Sequence, residues 1–123
     1  MILKIYNPYP KNHIFFIECL KQFYLNKQIK EIIEIKKVEN NSKDDNCTYF
    51  IILNHMYIIE KYEIQNDINK ICQKKNKILY ITEPIELMIE KQYYQKLVQR
   101  LKPQKIYTYC EENINKIKTF ISL

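Results

Sequence analysis

The chain contains no glycine among its 123 residues, and this absence limits the phosphate-binding loops that it can build. The Gly-rich turns of nucleotide-binding proteins bring the backbone close to a phosphate group at positions that only glycine fits. The Walker loop and the dinucleotide fingerprint are therefore excluded. We expect the isolated chain to hydrolyse neither ATP nor GTP, to bind neither NAD nor FAD tightly, and to use no cofactor.

The rest of the composition indicates an AT-rich genome more than a function. Alanine and tryptophan are missing and Arg100 is the single arginine, whereas Ile, Lys, Asn and Tyr, whose codons are AT-rich, are abundant. The formal net charge is +6, but the lysines are scattered and form no basic block interleaved with aromatic residues. Nucleic acid is therefore disfavoured as a partner.

Length and cysteine spacing predict one soluble domain without a metal site. Residues 1–123 suffice for a single core, and no apolar run approaches the roughly 20 residues of a membrane span. The strand-like start carries no signal-peptide cleavage site, so we expect a cytoplasmic protein. The cysteines, which lie apart from one another without a CxxC pair or paired histidines, predict reduced structural thiols; they are Cys19, Cys47, Cys72 and Cys110.

Hydrophobic periodicity changes several times along the chain and predicts an α/β domain. Strands are expected at 2–6, 30–38, 49–53, 78–81 and 105–109, with the second near a sheet edge. Four helices are expected. The first runs from about 12 to 27, the second includes Ile64 and ends near Cys72, the third runs from Pro84 to about 102, and the fourth begins at Glu111. This alternation predicts a three-layer Rossmann-like domain, with a mainly parallel five-stranded sheet and helices on both faces.

Two helices carry more detailed local predictions. The spacing of Phe16, Leu20 and Phe23, with Ile17 and Tyr24 beside them, predicts that these side chains form the apolar face of the first helix. Before the third helix, Glu83 is expected to be the cap, Pro84 the first helical residue and Glu86 the acidic partner of a capping box.

Candidate functional residues follow the strands. Open parallel sheets bind ligands beyond the carboxyl ends of their strands, where Asn54 and His55 follow the third predicted strand and Thr82 and Glu83 the fourth. His55 with Glu83 is the candidate catalytic pair, a general base and its orienting carboxylate. The structural alternative is that Asn54 or His55 caps a helix and that Glu83 serves only as the cap before Pro84.

The strand-end segments together resemble a known family. They are the Lys-Ile-Tyr-Asn-x-Tyr-Pro start, Phe50 to His55, Ile81 to Pro84, and Ile106 to Cys110 with Asn113. This order resembles the amino-terminal domain of glycosyltransferase-like proteins of the GT-B architecture, notably those of AT-rich giant DNA viruses. The resemblance covers nearly the whole chain and would place it in the host cytoplasm.

The resemblance implies a domain that faces the acceptor, a glycan or a protein, across an interdomain cleft. The sugar nucleotide is held mainly by a carboxyl-terminal half that this chain lacks, so a donor-binding domain or subunit is the implied partner. Asn54, His55, Thr82 and Glu83 would line the cleft. Tyr109 and Asn113 would bind substrate beyond the fifth strand.

The sequence is compatible with three functions. The first is an acceptor-side glycosyltransferase half, the second is a non-catalytic protein interaction module, and the third is a small-ligand enzyme that uses His55 and Glu83. A partner with a sugar-nucleotide site favours the first. An exposed apolar face at the sheet edge or on the last helix favours the second.

Overall fold

The residues that the computed structural model describes, namely 2–9, 13–25, 29–39, 46–53, 61–82, 84–86, 88–108 and 111–121, form five strands and four helices, with a described helix after every strand except the second. The strands are β1 (Ile2–Tyr6), β2 (Glu31–Ile35), β3 (Cys47–Leu53), β4 (Asn76–Ile81) and β5 (Lys105–Thr108). The helices are α1 (Ile14–Leu25), α2 (Tyr62–Cys72), α3 (Met88–Leu101) and α4 (Glu111–Ile121). None of these helices is both long and apolar enough to cross a membrane.

The five strands form one sheet in which every neighbouring pair is parallel, in the order β2-β1-β3-β4-β5. This is one of the two common orders of doubly wound sheets. The predicted Rossmann-like α/β class is confirmed, and β2 lies at a sheet edge as expected. The direction of winding reverses between β1 and β3, so the crevice between the carboxyl ends of these two strands is the switch point where such sheets bind ligands.

Helices cover both faces of the sheet, but they cover them unequally. Buried residues of α1 pack with those of β1, β3 and β4 on one face. On the opposite face, α2, α3 and α4 contribute to a second and larger cluster. Right-handed crossovers explain α1, α2 and α3, because the chain crosses the sheet in one direction from β1 to β2 and in the opposite direction from β3 through β4 to β5.

Helix α4 follows β5, and no described strand comes after it, so the handedness of a crossover does not explain the face on which it lies. It packs beside α3, and Ile117 joins the larger cluster. Ile114, which the sequence places on the same apolar stripe, is largely exposed. As a result α1 alone covers its face of the sheet among the described helices, and the part of that face above β4 and β5 is left open.

Apolar residues of the central strands are buried. Ile51, Ile52, Leu79 and Ile81 are fully enclosed, and Ile106 on edge strand β5 is half-buried. The side chain of Leu53 lies outside the described residues. Continuous apolar runs such as Tyr49 to Ile52 are typical of strands that are covered on both faces.

Strands β3 and β4 each begin two residues earlier than predicted, at Cys47 and Asn76. In the sequence, Asn76 and Lys77 suggested the cationic end of the preceding helix. Lys77 instead lies in β4, and its Nζ reaches back 3.1 Å to donate to the carbonyl oxygen of Cys72 at the end of α2. One lysine therefore belongs to the strand and also neutralises the helix carboxyl terminus.

The predicted start of α3 at Pro84 is wrong, because the helix begins at Met88 and residues 84–86 are not helical. The physical reason is tertiary. The backbone N–H of Ile85 donates to Asn113 Oδ1 at 2.8 Å, and its carbonyl oxygen accepts a hydrogen bond from Lys116 Nζ. These bonds from α4 hold the segment in a non-helical conformation. The proposed cap Glu83 lies outside the described residues.

The apolar face of α1 is narrower than predicted. Ile17 and Leu20 are buried and Phe16 and Tyr24 are half-buried, but Phe23 is 55% exposed. Helical spacing places Phe23 on the correct side of the helix. It remains exposed because no described helix lies next to α1 to cover it.

Among the residues that the structure describes, two adopt left-handed backbone conformations in which glycine is the usual occupant. They are His13, just before α1, with φ of 65°, and Lys102, just after α3, with φ of 50°. Lys102 N–H donates to the carbonyl oxygen of Val98 at 2.9 Å and closes the last turn of α3. A side chain with a Cβ atom in this conformation costs roughly 1 kcal/mol.

Candidate functional site

The polar residues that follow β4 and β5 lie close together at the carboxyl edge of the sheet. Thr82 directly follows β4 and is buried, and Asn113 in the first turn of α4 is completely buried. Besides accepting from Ile85, Asn113 donates from Nδ2 to Thr108 Oγ1 at 3.1 Å. Asn113 therefore joins the exits of β4 and β5 and has a structural role. Its contact with a substrate stays a prediction, as does that of Thr82.

The other predicted site residues lie outside the described residues. These are Asn54 and His55 after β3, Glu83 after β4, and Tyr109 after β5. The convergence of His55 and Glu83, and with it the general base and its orienting carboxylate, stays a prediction.

A cleft opens beside the switch point of the sheet. We call it the edge cleft; its volume is about 370 Å³ and it is lined by Pro8, Tyr9, Lys36, Lys37, Lys61, Glu63, Ile64 and Asp67. These residues come from the segment after β1, the segment after β2, and the start of α2 with Lys61 directly before it. Tyr9 follows β1, and Lys61 to Asp67 follow β3 along the chain, so the lining includes residues that follow both strands of the switch point. The cleft therefore borders the place where a doubly wound sheet binds its ligand.

The wall of the edge cleft depends on one buried carboxylate, Asp67 of α2. Its Oδ2 accepts a hydrogen bond from the hydroxyl of Tyr6 at 2.8 Å, and its Oδ1 accepts one from the backbone N–H of Val38 at 3.0 Å. Lys70 Nζ, one turn further along α2, donates to the carbonyl oxygen of Val38 at 3.1 Å. Asp67 thus fixes β1, the segment after β2, and α2 relative to one another.

Burial and the contact with Asp67 raise the pKa of the Tyr6 hydroxyl. Loss of water around the hydroxyl is the main cause, followed by the hydrogen bond to Asp67 and repulsion from its charge, and together they raise the pKa of Tyr6 far above its ordinary value. Tyr6 therefore remains a neutral hydrogen-bond donor at any physiological pH.

The role of Asp67 was not predicted from the sequence, although one local signal indicates it. In α2, the residues buried against the core are Ile64, Ile68 and Ile71, and Asp67 lies on the same stripe, three residues after Ile64. A charged residue within an apolar helical stripe is expensive to bury unless a partner is present. Such a position therefore indicates a buried hydrogen-bond network.

A second concavity lies on the face that α1 covers alone. We call it the aromatic groove; its volume is about 290 Å³ and it is lined by Phe16, Leu20, Phe23, Tyr24, Phe50, Tyr80, Tyr107 and Thr108. The rings of Phe16 and Tyr80 stack with centroids 4.4 Å apart, and those of Phe50 and Tyr107 stack at 6.4 Å. Tyr107 is 40% exposed on edge strand β5.

Two tyrosines from opposite sides of the aromatic groove influence each other at its rim. Burial is the largest cause that raises the pKa of Tyr24, and the nearby Tyr107 acts in the same direction. Tyr24 lies on α1 and Tyr107 on β5, so the covering helix and the edge of the sheet approach each other here.

Thiols and metal ligands form no site in the part of the chain that the structure describes. Cys19 is exposed, Cys47 buried and Cys72 half-buried, and all three are free thiols; Cys110 lies outside the described residues. Across the described ranges, no group of three His, Cys, Asp or Glu side chains could hold a metal ion.

Comparison with known proteins identifies no family for this chain, because it matches no protein-family model, no curated protein and no solved structure. Its function is therefore inferred from its own residues.

Proposed function

We propose that the chain is the acceptor-side half of a GT-B glycosyltransferase-like protein and that it acts with a donor-binding domain or subunit. The observation that carries this proposal is the edge cleft, which borders the switch point of a parallel doubly wound sheet, where such sheets bind ligands. The resemblance of the strand-end segments supplies the sugar-related part of the proposal.

The lining of the edge cleft suits a polar ring such as a saccharide. Tyr9 and Ile64 supply apolar surface, whereas Lys36, Lys37 and Glu63 supply charged groups that can hydrogen-bond to hydroxyls. A volume of about 370 Å³ falls within the roughly 300–1,000 Å³ of small-molecule sites. The cleft is therefore large enough for one or two sugar units.

The proposed need for a partner follows from the missing glycines. A sugar nucleotide carries a diphosphate, and glycine-rich turns are the usual way for a Rossmann-like domain to bring its backbone against one. With no glycine in the sequence, this half is suited to the acceptor. In this proposal His55 and Glu83 act on the acceptor, and Asn54, Thr82, Tyr109 and Asn113 help to position it at the same sheet edge.

A glycan array followed by calorimetry tests the acceptor role. We expect the purified chain to bind a subset of saccharides, and Tyr9→Ala to weaken that binding at least tenfold because the aromatic surface in the edge cleft is lost. Tyr62→Ala is the matched control, since Tyr62 is 84% exposed and is not among the residues that line the cleft.

The same chain should bind sugar nucleotides no tighter than the millimolar range by itself, and should support transfer only when a donor-binding protein is added. An array without any bound saccharide, or equal losses in the two tyrosine variants, would contradict the acceptor role. Tight sugar-nucleotide binding by the chain alone would contradict the division into two halves.

A protein interaction module is the second candidate, and the aromatic groove favours it. The groove joins an exposed edge strand to an incompletely covered sheet face, and Phe23 and Tyr107 leave large apolar surface in solvent. Exposed aromatic surface of this kind marks protein interaction sites, and Tyr and Phe are enriched in them.

Selection of peptides from a random library tests the interaction module. We expect enrichment of peptides with aromatic and leucine anchors, and loss of their binding in Phe23→Ser. Phe15→Ser is the control, because Phe15 is 82% exposed on the same helix but does not line the groove. If no peptides are enriched, or if both variants lose binding equally, the groove is not a peptide site.

A further inference from the structure

We infer that the edge cleft binds the phosphate group of a small phosphate monoester, held by lysine side chains in place of a glycine-rich loop. This inference rests on the proposed function only in taking the cleft as a ligand site, and it names the class of that ligand. Three observations support it: lysines from separate segments line the cleft, the lining keeps an excess of positive charge, and the ring of Tyr9 lies beside one of these lysines.

The cations come from separate segments that converge on one cavity. Lys36 and Lys37 directly follow β2, and Lys61 directly precedes α2. The backbone N–H of Asn7 donates to the carbonyl oxygen of Ile35 at 2.9 Å, so the end of β1 is fixed beside the segment that carries the lysine pair. Convergence from two sides of a cavity distinguishes these lysines from a run of charges on one solvated face.

The acidic residues of the cleft only partly offset the charge of its three lysines. Of the two acidic residues, Asp67 has both carboxylate oxygens engaged by Tyr6 and Val38, which are neutral donors and do not cancel a carboxylate charge. Lys36 and Lys37 form no ion pair with any residue that the structure describes. With Glu63 as the other acidic residue, the lining keeps an excess of positive charge. A phosphate monoester carries nearly two negative charges at neutral pH and complements this excess.

An aromatic ring lies beside the cations. Lys61 Nζ is 5.6 Å from the centroid of the Tyr9 ring, so a charge and a flat apolar surface are adjacent in the same cavity. Phosphate on the lysines would place the rest of the ligand near Tyr9. A ring there, whether a sugar or a nucleobase, can pack against the tyrosine. The chemistry common to both sources is the phosphate monoester.

Calorimetric titration of the full chain at low salt tests this inference, with glucose 1-phosphate, uridine monophosphate and inorganic phosphate as probes and with glucose and uridine as unphosphorylated references. We expect both monoesters to bind at least tenfold more tightly than their references and to weaken as salt is raised, because the attraction is electrostatic. The monoester that binds more tightly shows whether the ring that packs near Tyr9 is a sugar or a nucleobase.

Two double variants with the same change in net charge separate a site from diffuse attraction. Lys36→Gln combined with Lys37→Gln should weaken both monoesters at least tenfold. Lys75→Gln combined with Lys105→Gln should leave them unchanged, because these exposed lysines precede β4 and begin β5 at the opposite edge of the sheet. All four lysines are exposed, so melting temperatures should be nearly equal.

Equal affinity for phosphorylated and unphosphorylated probes would overturn the inference, and so would equal losses in the two double variants. Tighter binding of a single-stranded oligonucleotide than of either monoester, with both double variants affected alike, would also overturn it in favour of nonspecific nucleic-acid binding. If saccharides bind and phosphate adds nothing, the inference fails and the proposed acceptor role stands. If neither class binds, both fail.

Discussion

Replacement of Asp67 by alanine is expected to lower the free energy of unfolding by about 3 kcal/mol, because two buried donors lose their acceptor at once. The hydroxyl of Tyr6 and the backbone N–H of Val38 both donate to this carboxylate. Neither has water at hand to replace it, since Tyr6, Val38 and Asp67 are all buried. Urea unfolding followed by circular dichroism measures the change.

Asn66→Ala is the control for this experiment, because the neighbouring Asn66 is exposed on the same helix and its loss should change stability by less than about 0.5 kcal/mol. Asp67→Asn should fall between the two, since its one amide oxygen can still accept from one of the donors. A loss of less than about 1 kcal/mol in Asp67→Ala would mean that Asp67 does not hold β1 and α2 together.

Removal of the Tyr6 hydroxyl is expected to have an effect on stability that depends on pH. At pH 8, Tyr6→Phe should be less stable than the wild type by about 2 kcal/mol, because a hydrogen bond to a charged acceptor is lost. The pKa of Tyr6 is raised in the folded chain above its ordinary value of 10.0. The wild-type stabilisation is therefore complete below pH 10 and declines as the pH rises further, when the unfolded chain ionises and the folded chain does not.

The difference in the free energy of unfolding between wild type and Tyr6→Phe should therefore narrow above pH 10, by up to about 1.4 kcal/mol for each pH unit, which is the limit for one proton. Urea titrations at pH 8, 10 and 11 measure this difference. Tyr62→Phe is the control, because Tyr62 is largely exposed and its difference from wild type should not vary with pH. A difference between wild type and Tyr6→Phe that stays constant between pH 8 and 11 would contradict the raised pKa.

The sheet could be predicted from sequence because its strands carry their own signal. Apolar runs such as Tyr49 to Ile52 and Ile78 to Ile81 fit little except a strand with cover on both faces. Alternation with helices then indicates parallel pairing, since each crossover returns the chain to the same edge. These features are local, or follow from general rules of chain connection.

Features that depend on contacts between distant segments could not be predicted. Pro84 and Glu86 form a good helix-start pattern, but Asn113 and Lys116 bind the backbone of Ile85 from almost 30 residues away. Phe23 fits the apolar stripe of α1 and is nevertheless exposed, because α4 packs beside α3. Nothing local in the sequence of α4 determines which face of the sheet it covers.

The residues of the edge cleft were not predicted from the sequence. The rule that ligands bind beyond the carboxyl ends of strands led to Thr82 after β4 and Asn113 after β5, which do not line this cleft and whose role in binding stays a prediction. It did not lead to the edge cleft, because Lys36, Lys37 and Lys61 look like ordinary solvated charges until the fold brings them to one cavity. Separation along the chain hides such a cluster from any local pattern.

The left-handed turns at His13 and Lys102 also bear on the unfolded chain. Each costs roughly 1 kcal/mol in the folded state because a Cβ atom is present. In the unfolded state the same side chains restrict the backbone, and a residue other than glycine sacrifices about 0.4–1 kcal/mol less conformational entropy on folding. A smaller unfolded ensemble thus offsets part of the local strain, so the net cost of a left-handed residue in a chain without glycine is lower than the strain alone indicates.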